Sequence, residues 1–299
     1  MKTGVIGLGT MGMGAALSLV KAGHETYGCD LRESARAELV AGGGHSVGRP
    51  VDLPDDLDAI VLFVVNAAQA EDVLFGQLGC ASRLAPGTVV LGCVTIAPEA
   101  ARTLGARLAE RGLVFLDTPV SGGFAAARGG SMTVMASGPE DGFVRAQPVL
   151  DAIAGKIWRL GEEVGAGSTV KMVNQLLAGV HIATAAEAMA LGIRAGADPQ
   201  VLFDVISTSA GSSWMFQNRV PHILAGDDTP LSSVNIFVKD LGIVLDQARA
   251  LTFPLPMASA AHQLFLAAAA NGQGARDDAF VIRVWQALAG IALPEKDAP

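Results

Sequence analysis

A lysine and two amide residues lie close together in the second half of the sequence. Asn174 and Gln175 follow Lys171 by three and four residues, so all three share a face if this segment is helical. Apolar neighbours surround them, and burial lowers the pKa of a lysine from about 10.4 toward the range useful for proton transfer. The pattern predicts a general base oriented by amides. The alternative interpretation is a solvated helix face.

A glycine-rich loop lies near the N-terminus. It follows the apolar pair Val5-Ile6 and precedes a helix-forming run that begins near Ala15. Its three spaced glycines permit a tight turn, close approach of a pyrophosphate, and close packing of a helix on a strand. The loop residues predicted to bind a dinucleotide are Gly7, Leu8, Gly9, Thr10, Met11 and Gly12.

An acidic residue follows the second predicted strand. Asp30 comes directly after the run Glu25–Cys29 and about 20 residues beyond the glycines, where a carboxylate can accept both hydroxyls of an adenine ribose. The order of strand, loop, helix, strand and acid predicts NAD as the cofactor. A 2′-phosphate would face this carboxylate, so NAD is expected to be preferred over NADP unless Arg32 pairs with the phosphate.

Other polar residues follow further predicted strands. Ligands of open parallel sheets bind beyond the carboxyl ends of the strands, so these residues are expected to line one cleft. They are Val65 and Asn66, then Thr95, then Ser121, Gly122 and Gly123. Thr95 could contact the cofactor or cap a helix that begins near Pro98. The glycine pair with its serine could hold a carboxylate or form a plain turn.

The elements that must position these groups change type near residue 163. Before it, short apolar runs at residues 59–65, 88–91, 113–116 and 132–136 alternate with helical segments, as expected for a parallel sheet covered on both faces. After it, helical periodicity predicts helices at 168–195, 199–208, 234–251, 256–270 and 277–289. We predict an α/β fold, with a Rossmann doubly wound parallel sheet in residues 1–163 and an all-helical domain in residues 164–299 that begins with a long interdomain helix.

Composition excludes several classes of partner. The net charge of −8 over 299 residues gives no attraction for nucleic acid or an anionic membrane. The apolar stretch 176–193 carries His181 and Glu187, which favours a buried helix over a membrane span. The glycine loop starts too early for a signal peptide, and the three cysteines lack metal-ligand spacing. We expect a cytoplasmic protein with no metal and with cysteines in its core.

Four ordered motifs extend over essentially the whole chain. They are Gly7-Leu8-Gly9-x-Met11-Gly12; Asp117-x-Pro119-Val120-Ser121-Gly122-Gly123 with Gly129 to Met135; Gly165-x-Gly167-x-x-x-Lys171-x-x-Asn174-Gln175; and Lys239-Asp240-Leu241. Together they resemble the β-hydroxyacid dehydrogenase family, which includes 3-hydroxyisobutyrate dehydrogenase and tartronate semialdehyde reductase.

The resemblance implies roles for these residues. Lys171 would be the acid-base residue, the segment from Ser121 to Gly123 would contact the substrate carboxylate, and Thr95 and Lys239 would contact the cofactor. It also implies an NAD-dependent hydroxyacid dehydrogenase whose helical second domain carries the interface of a homodimer or homotetramer. The chain departs from the common family pattern at Ala15, Ser18 and Gln175.

Within the family, three segments favour one substrate. Residues 64–69, 175–183 and 213–219 most resemble members that oxidise L-threonate at C2 to 2-dehydro-L-erythronate. The segment 211–219 could close over the substrate, or could be a helix cap at Ser212 or Ser213 followed by core aromatics. The alternatives are 3-hydroxyisobutyrate or tartronate semialdehyde chemistry, and a non-catalytic dinucleotide sensor, which would need no base at Lys171.

Overall fold

The structure is a computed structural model that describes residues 1–294. It divides into two compact units, with the boundary between Met172 and Val173. This boundary falls inside one long helix, α7 (Ala166–Arg194). Lys171 therefore belongs to the first unit, whereas Asn174 and Gln175 belong to the second.

The first unit is built on a sheet of six parallel strands. These are β1 (Lys2–Ile6), β2 (Glu25–Cys29), β3 (His45–Val47), β4 (Ala59–Leu62), β5 (Val89–Gly92) and β6 (Val114–Asp117). Their order is β3-β2-β1-β4-β5-β6, with every neighbouring pair parallel. This is the predicted doubly wound arrangement, in which the order reverses beside β1 and places ligands at the carboxyl ends of the strands.

Four helices connect strands of this sheet. They are α1 (Thr10–Lys21), α2 (Glu33–Ala41), α3 (Ala67–Phe75) and α4 (Pro98–Ala109). Two more, α5 (Gly123–Arg128) and α6 (Glu140–Ile153), follow β6 in the chain. Alternate residues of β4 enter different apolar clusters, because Val61 belongs to the cluster that contains Leu19 and Ile60 to the one that contains Leu104. Burial on both faces explains why the strands read as continuous apolar runs.

One predicted strand joins a different sheet. Residues 132–136 form a strand as expected, but this β8 (Met132–Ala136) lies in a three-stranded sheet with β7 (Val120–Ser121) and β9 (Ala154–Arg159). It pairs antiparallel with β7 and parallel with β9. An apolar run predicts a buried strand but does not specify its partners. The pattern also missed β9, in which Lys156 and Trp158 are exposed.

The second unit is helical. After α7 come α8 (Pro199–Ser207), α9 (Trp214–Leu224), α10 (Val234–Ala250), α11 (Pro256–Ala268) and α12 (Arg283–Ala289). A 3₁₀ turn at Asp278–Ile282 precedes α12, so the predicted helix 277–289 is two elements. Ser213 caps α9 through a bond of 3.0 Å from the Phe216 amide, and Met215 and Phe216 are buried, which supports the cap-and-core interpretation of this segment.

Helix α7 is long and apolar enough to cross a membrane by length and composition alone. Within this structure it carries fully buried core residues, among them Ile182 and Met189. The side chains of Lys171 and Gln175 on the same helix are also buried. The apolar window of this helix is 39% buried, and the helix also carries exposed apolar side chains such as Leu177 and Leu191.

Two adjacent carboxylates are buried beside α9. Arg219 donates to Asp278 through Nε at 2.5 Å and Nη2 at 3.2 Å, and Asp278 is fully buried. His222 pairs with Asp277 at 3.2 Å. Burial, aided by repulsion from Asp277, raises the pKa of Asp278 to about 6 despite the neighbouring guanidinium. Arg219 thus has a structural ion-pair role in the helical unit.

This raised pKa predicts a specific pH dependence of stability. Asp278 binds its proton more tightly in the folded than in the unfolded chain, so its contribution is fully present below pH 3.8 and is lost as the pH rises through about 6. We therefore expect wild type to gain stability relative to Asp278→Asn as the pH is lowered. Its free energy of unfolding should rise by about 2 to 3 kcal/mol more than that of the variant between pH 8 and pH 4. Titrations common to both proteins cancel. Urea unfolding at both pH values measures the shift, and a constant difference would contradict it.

Candidate active site

The glycine loop has the geometry that its spacing predicts. Gly7 adopts φ +91°, and a Cβ there would lie 2.6 Å from the carbonyl oxygen of Phe63. A Cβ on Gly12 would lie 1.8 Å from the carbonyl oxygen of Gly7, so α1 packs against the turn too closely for any side chain. Gly9, in contrast, faces open space within 4 Å. The loop is closed on the protein side and accessible where a pyrophosphate would approach.

The N-terminus of α1 receives no side-chain cap. Its N-cap residue is Gly9, and the helix begins at Thr10. Uncapped amides at a helix start form a site for an anion. A cavity of about 280 Å³ opens here, lined in part by Gly9, Thr10, Arg32 and Ser34. The residues present therefore fit the pyrophosphate of a dinucleotide.

Asp30 is tied to the glycine loop. Its Oδ2 accepts a bond of 2.8 Å from the Leu8 amide, and its two oxygens accept bonds of 3.1 and 3.2 Å from the guanidinium of Arg32. Burial alone would raise the pKa of Asp30, but the hydrogen bonds from Arg32 and Leu8 hold that pKa below its usual range. Arg32 also donates to the Leu8 carbonyl at 2.9 Å. Asp30 is a fixed carboxylate at the end of β2.

The segments after β4 and β5 take different local structures. The side chain of Asn66 caps α3, accepting a bond of 2.8 Å from the Gln69 amide, and Gln69 in turn accepts 2.8 Å from the amide of Val65. This reciprocal pair fixes the turn that carries Val65. The N-cap of α4 is Ala97, not Thr95. Of the two roles considered for Thr95, the cap is therefore wrong, and contact with the cofactor stays a prediction.

The serine and two glycines form a turn into a short helix. Ser121 ends β7, Gly122 has φ +126° and Gly123 has φ +68°. A Cβ on Gly122 would lie 2.5 Å from that of Ala126, whereas Gly123 has open space around it. The left-handed backbone requires glycine here. The open side at Gly123 leaves its backbone accessible, which suits a carboxylate contact.

Asp117 anchors the start of the helix that carries Lys171. This carboxylate, 1% exposed at the end of β6, accepts bonds from the Ser168 amide at 2.7 Å, the Ser168 hydroxyl at 2.7 Å and the Gly165 amide at 3.1 Å. Burial raises the pKa of Asp117 in spite of these bonds. Lys171, 7% exposed, comes one turn later. Asp117 thereby fixes Lys171 relative to the sheet.

In the second unit, α7 and α10 share a polar network. Asn174 Nδ2 donates to Gln175 Oε1 at 3.0 Å, and Gln175 Nε2 donates to Asp240 Oδ2 at 2.5 Å. Lys239 donates to the other oxygen of Asp240. Gln175 and Asp240 are buried. The predicted residues Asn174, Gln175 and Lys239 are thus linked through a carboxylate that was not predicted as a site residue.

The three cysteines belong to the core. Cys29, Cys80 and Cys93 are free and buried. Burial raises the pKa of each thiol to about 12, so none is a thiolate at neutral pH. No group of three or more His, Cys, Asp or Glu residues able to hold a metal occurs within residues 1–294.

Sequence reasoning missed the roles of Asp117, Ser168 and Asp240. Asp117 had one usable signal, since it directly follows the predicted strand 113–116 and opens one of the four motifs. Ser168 gave no signal of its own, because its bond with Asp117 joins residues 51 apart. Asp240 stood beside Lys239 in another quoted motif. Charge and position alone could have marked both aspartates as site candidates.

Comparison with known proteins identifies the class. Residues 2–161 match the model of the NAD-binding domain of 6-phosphogluconate dehydrogenase, and residues 165–285 match the NAD-binding model of NADP-dependent 3-hydroxyisobutyrate dehydrogenase. The chain therefore belongs to the 3-hydroxyisobutyrate dehydrogenase-like family of NAD-dependent hydroxyacid dehydrogenases. This confirms the family, fold class and cofactor predicted from the sequence, and it removes the non-catalytic sensor as an alternative.

Individual relatives show which members of the family the chain is similar to. The chain is 55% identical to L-threonate dehydrogenase of Cupriavidus necator over 98% of each chain. It is 52% identical to L-threonate dehydrogenase of Escherichia coli K12, covering 97% of this chain and 96% of that one. A crystal structure of 3-hydroxyisobutyrate dehydrogenase from Salmonella typhimurium superposes with a TM-score of 0.92 at 50% identity, covering 95% of this chain and 99% of that one.

Proposed function

We propose that this protein oxidises L-threonate at C2 to 2-dehydro-L-erythronate with NAD, in the catabolism of four-carbon sugar acids, with Lys171 as the general base. The observation that carries the proposal is the burial of Lys171. It lies one turn beyond Ser168, which bonds to Asp117, and it belongs to the unit that carries the dinucleotide loop. Full-length identity to L-threonate dehydrogenases supports the choice of substrate. The test is steady-state formation of NADH from L-threonate, with identification of the keto acid.

Each residue has a defined task in this reaction. NAD, when bound, supplies at nicotinamide C4 the acceptor for the hydride that leaves C2. Lys171 takes the proton of the C2 hydroxyl as its C–O bond becomes a carbonyl. The hydroxyl of Ser121 and the backbone amides of Gly122 and Gly123 hold the carboxylate. Asn174 or Gln175 orients the lysine and the hydroxyl.

The cofactor contacts follow from the geometry of the loop. The amides at the start of α1 and the open side of Gly9 would hold the pyrophosphate, with Leu8, Thr10 and Met11 lining it. Asp30 would accept the adenine ribose hydroxyls. The backbone at Val65 and Asn66, and the side chains of Thr95 and Lys239, complete the proposed set.

The competing substrate is 3-hydroxyisobutyrate or tartronate semialdehyde. Of these two, 3-hydroxyisobutyrate is favoured by one observation, because the relative from Salmonella typhimurium at 50% identity is described as 3-hydroxyisobutyrate dehydrogenase. In these reactions the hydride moves at a terminal carbon instead of C2. Product identification separates the two, since C2 oxidation gives a ketone and terminal oxidation gives an aldehyde.

Cofactor preference provides a direct test of Asp30. We expect kcat/KM for NAD to exceed that for NADP by at least about a hundredfold, because a 2′-phosphate beside a carboxylate costs several kcal/mol. Asp30→Asn is expected to reduce this preference by about tenfold or more. Asp52→Asn, which removes an exposed carboxylate paired with Arg49, is the matched control and should leave the ratio unchanged. Equal kcat/KM values in wild type would mean that Arg32 leaves Asp30 and pairs with the phosphate.

We also propose a division of labour along the chain, with residues 1–163 binding the dinucleotide and residues 164–299 binding substrate and forming a homodimer or homotetramer. Exposed apolar side chains on the helical unit support association, among them Leu191, Val201 and Val205. Light scattering after gel filtration measures the subunit number. Three free buried cysteines support a reducing, cytoplasmic location.

A further inference from the structure

A hydrogen-bonded chain in the helical unit begins at a buried carboxylate. Asp240, 2% exposed, lies on α10 and accepts a bond of 2.5 Å from Gln175 Nε2. Gln175 Oε1 accepts a bond of 3.0 Å from Asn174 Nδ2. Lys239 donates to the second oxygen of Asp240, which keeps the carboxylate charge balanced. The chain ends at one of the two amides assigned to the site.

The carboxylate of Asp240 fixes the donor-to-acceptor direction of these hydrogen bonds. A carboxylate only accepts hydrogen bonds, whereas an amide group presents a donor on one side and an acceptor on the other. Gln175 must therefore turn its NH₂ group toward Asp240 and its carbonyl oxygen toward Asn174. Asn174 must in turn use its NH₂ group on Gln175. The group left on the other branch of the Asn174 amide is its carbonyl oxygen, Oδ1.

We propose that Asp240 is a positioning residue that sets this direction, so that Asn174 presents the acceptor Oδ1 to a hydroxyl group of the substrate. The inference rests on the proposed function and deepens it. An acceptor oxygen satisfies a hydroxyl donor of a polyhydroxylated acid, whereas a methyl group at the same place would leave it unpaired. Asp240 thus acts on substrate selection through two intervening amides.

The first variant removes the fixed orientation of these hydrogen bonds but keeps the shape of the side chain at position 240. Asp240→Asn offers Gln175 either a donor or an acceptor, so both amides can turn over. We expect kcat/KM for L-threonate to fall about tenfold to hundredfold, the range for one buried hydrogen bond, mainly through a higher KM. For 3-hydroxyisobutyrate, which lacks the additional hydroxyls, we expect less than a threefold change. A loss of equal size for both acids would show a merely structural role.

A charge swap provides the rescue. In the double variant Asp240→Asn, Gln175→Glu, the carboxylate moves one step along the chain with no change in net charge and little change in shape. The relocated carboxylate then accepts from both sides, so Asn174 must again donate its NH₂ group and present Oδ1. We expect recovery to within about fivefold of wild type. Gln175→Glu alone places two carboxylates in contact and is expected to be the least active of the three.

Controls separate folding from positioning. Asp246→Asn removes an exposed carboxylate from the same helix, where it pairs with Arg249, and should leave all constants unchanged. Thermal unfolding and NAD affinity of each variant report folding. If Asp240→Asn does not fold, Gln175→Leu breaks the chain without changing charge and is expected to show the same selective rise in KM. A folded double variant as weak as Asp240→Asn would overturn the proposal.

The proposed substrate has its own readout. Absence of L-threonate oxidation by wild type would refute the proposed function, and the same variants would then be compared on the hydroxy acid that wild type oxidises best. The swap must still restore kcat/KM for that acid if Asp240 sets the direction of the chain. Unchanged activity of Asp240→Asn on every acid tested would refute the role of Asp240 alone.

Discussion

Replacing Lys171 with alanine is expected to lower kcat by about 10² to 10⁴, the usual contribution of a general acid-base residue, while NAD affinity stays within about twofold of wild type. Lys171 is buried, and the first turn of its helix is fixed by three bonds to Asp117. Its assigned task is to remove the hydroxyl proton, which gives it no part in cofactor affinity. Stopped-flow and steady-state measurements with saturating L-threonate and NAD determine kcat, and quenching of protein fluorescence by NAD determines the affinity for NAD.

Lys156→Ala is the matched control, because it removes an exposed lysine from β9 of the same unit. It should retain wild-type kcat. Lys171→Ala retaining more than a tenth of wild-type kcat would rule out the assignment of Lys171 as the base. A loss of NAD binding in that variant would instead place the lysine among the cofactor contacts.

Substrate discrimination is the second large effect. We expect kcat/KM for L-threonate to exceed that for 3-hydroxyisobutyrate by up to about 10⁴, because a site built for hydroxyl groups leaves its polar atoms unpaired with an analogue that lacks them. D-Glycerate should fall between the two acids, since it keeps one additional hydroxyl. Initial rates under saturating NAD provide all three values.

A smaller acid that proved the better substrate would refute the threonate assignment and leave the dehydrogenase assignment intact. In the structure, several polar side chains that could recognise the substrate are already engaged in internal contacts. In the segment 211–219, Ser213 caps α9, Gln217 donates to Ser212 at 3.0 Å, and Arg219 pairs with Asp278. Trp214 is the exposed large apolar side chain of this segment, so Trp214→Ala tests whether the segment contacts the substrate.

The parts of the fold predicted correctly from sequence are those encoded locally. The glycine loop is local because Gly7, Gly9 and Gly12 act on a turn and the helix that follows it. The helices α7, α8, α10 and α11 are also local, since their periodicity and start signals are contained in each segment. Helix α9 was not predicted as a helix. Strand ends were less exact, because residues 59–65 were predicted as one strand but β4 ends at Leu62. The roles assigned to the polar residues beyond these strands stay predictions.

What sequence did not reveal depends on distant pairing. The strand at 132–136 was found, but its membership in a second sheet depends on β7 and β9. The bond from Ser168 to Asp117 joins residues 51 apart, and that from Gln175 to Asp240 joins residues 65 apart. Periodicity carries no information about such partners. Both aspartates were visible in motifs, but their tasks became clear only from their contacts.

The anchoring of α7 by Asp117 has a consequence for how this site can be altered by mutation. Asp117 and Lys171 both belong to the unit that carries the dinucleotide loop, whereas Asn174, Gln175 and Asp240 belong to the other. Substitutions beyond residue 173 therefore leave unchanged the residues that bond the start of α7 to Asp117. The backbone support of the proposed base and the proposed amide contacts to the substrate can thus be altered by separate substitutions.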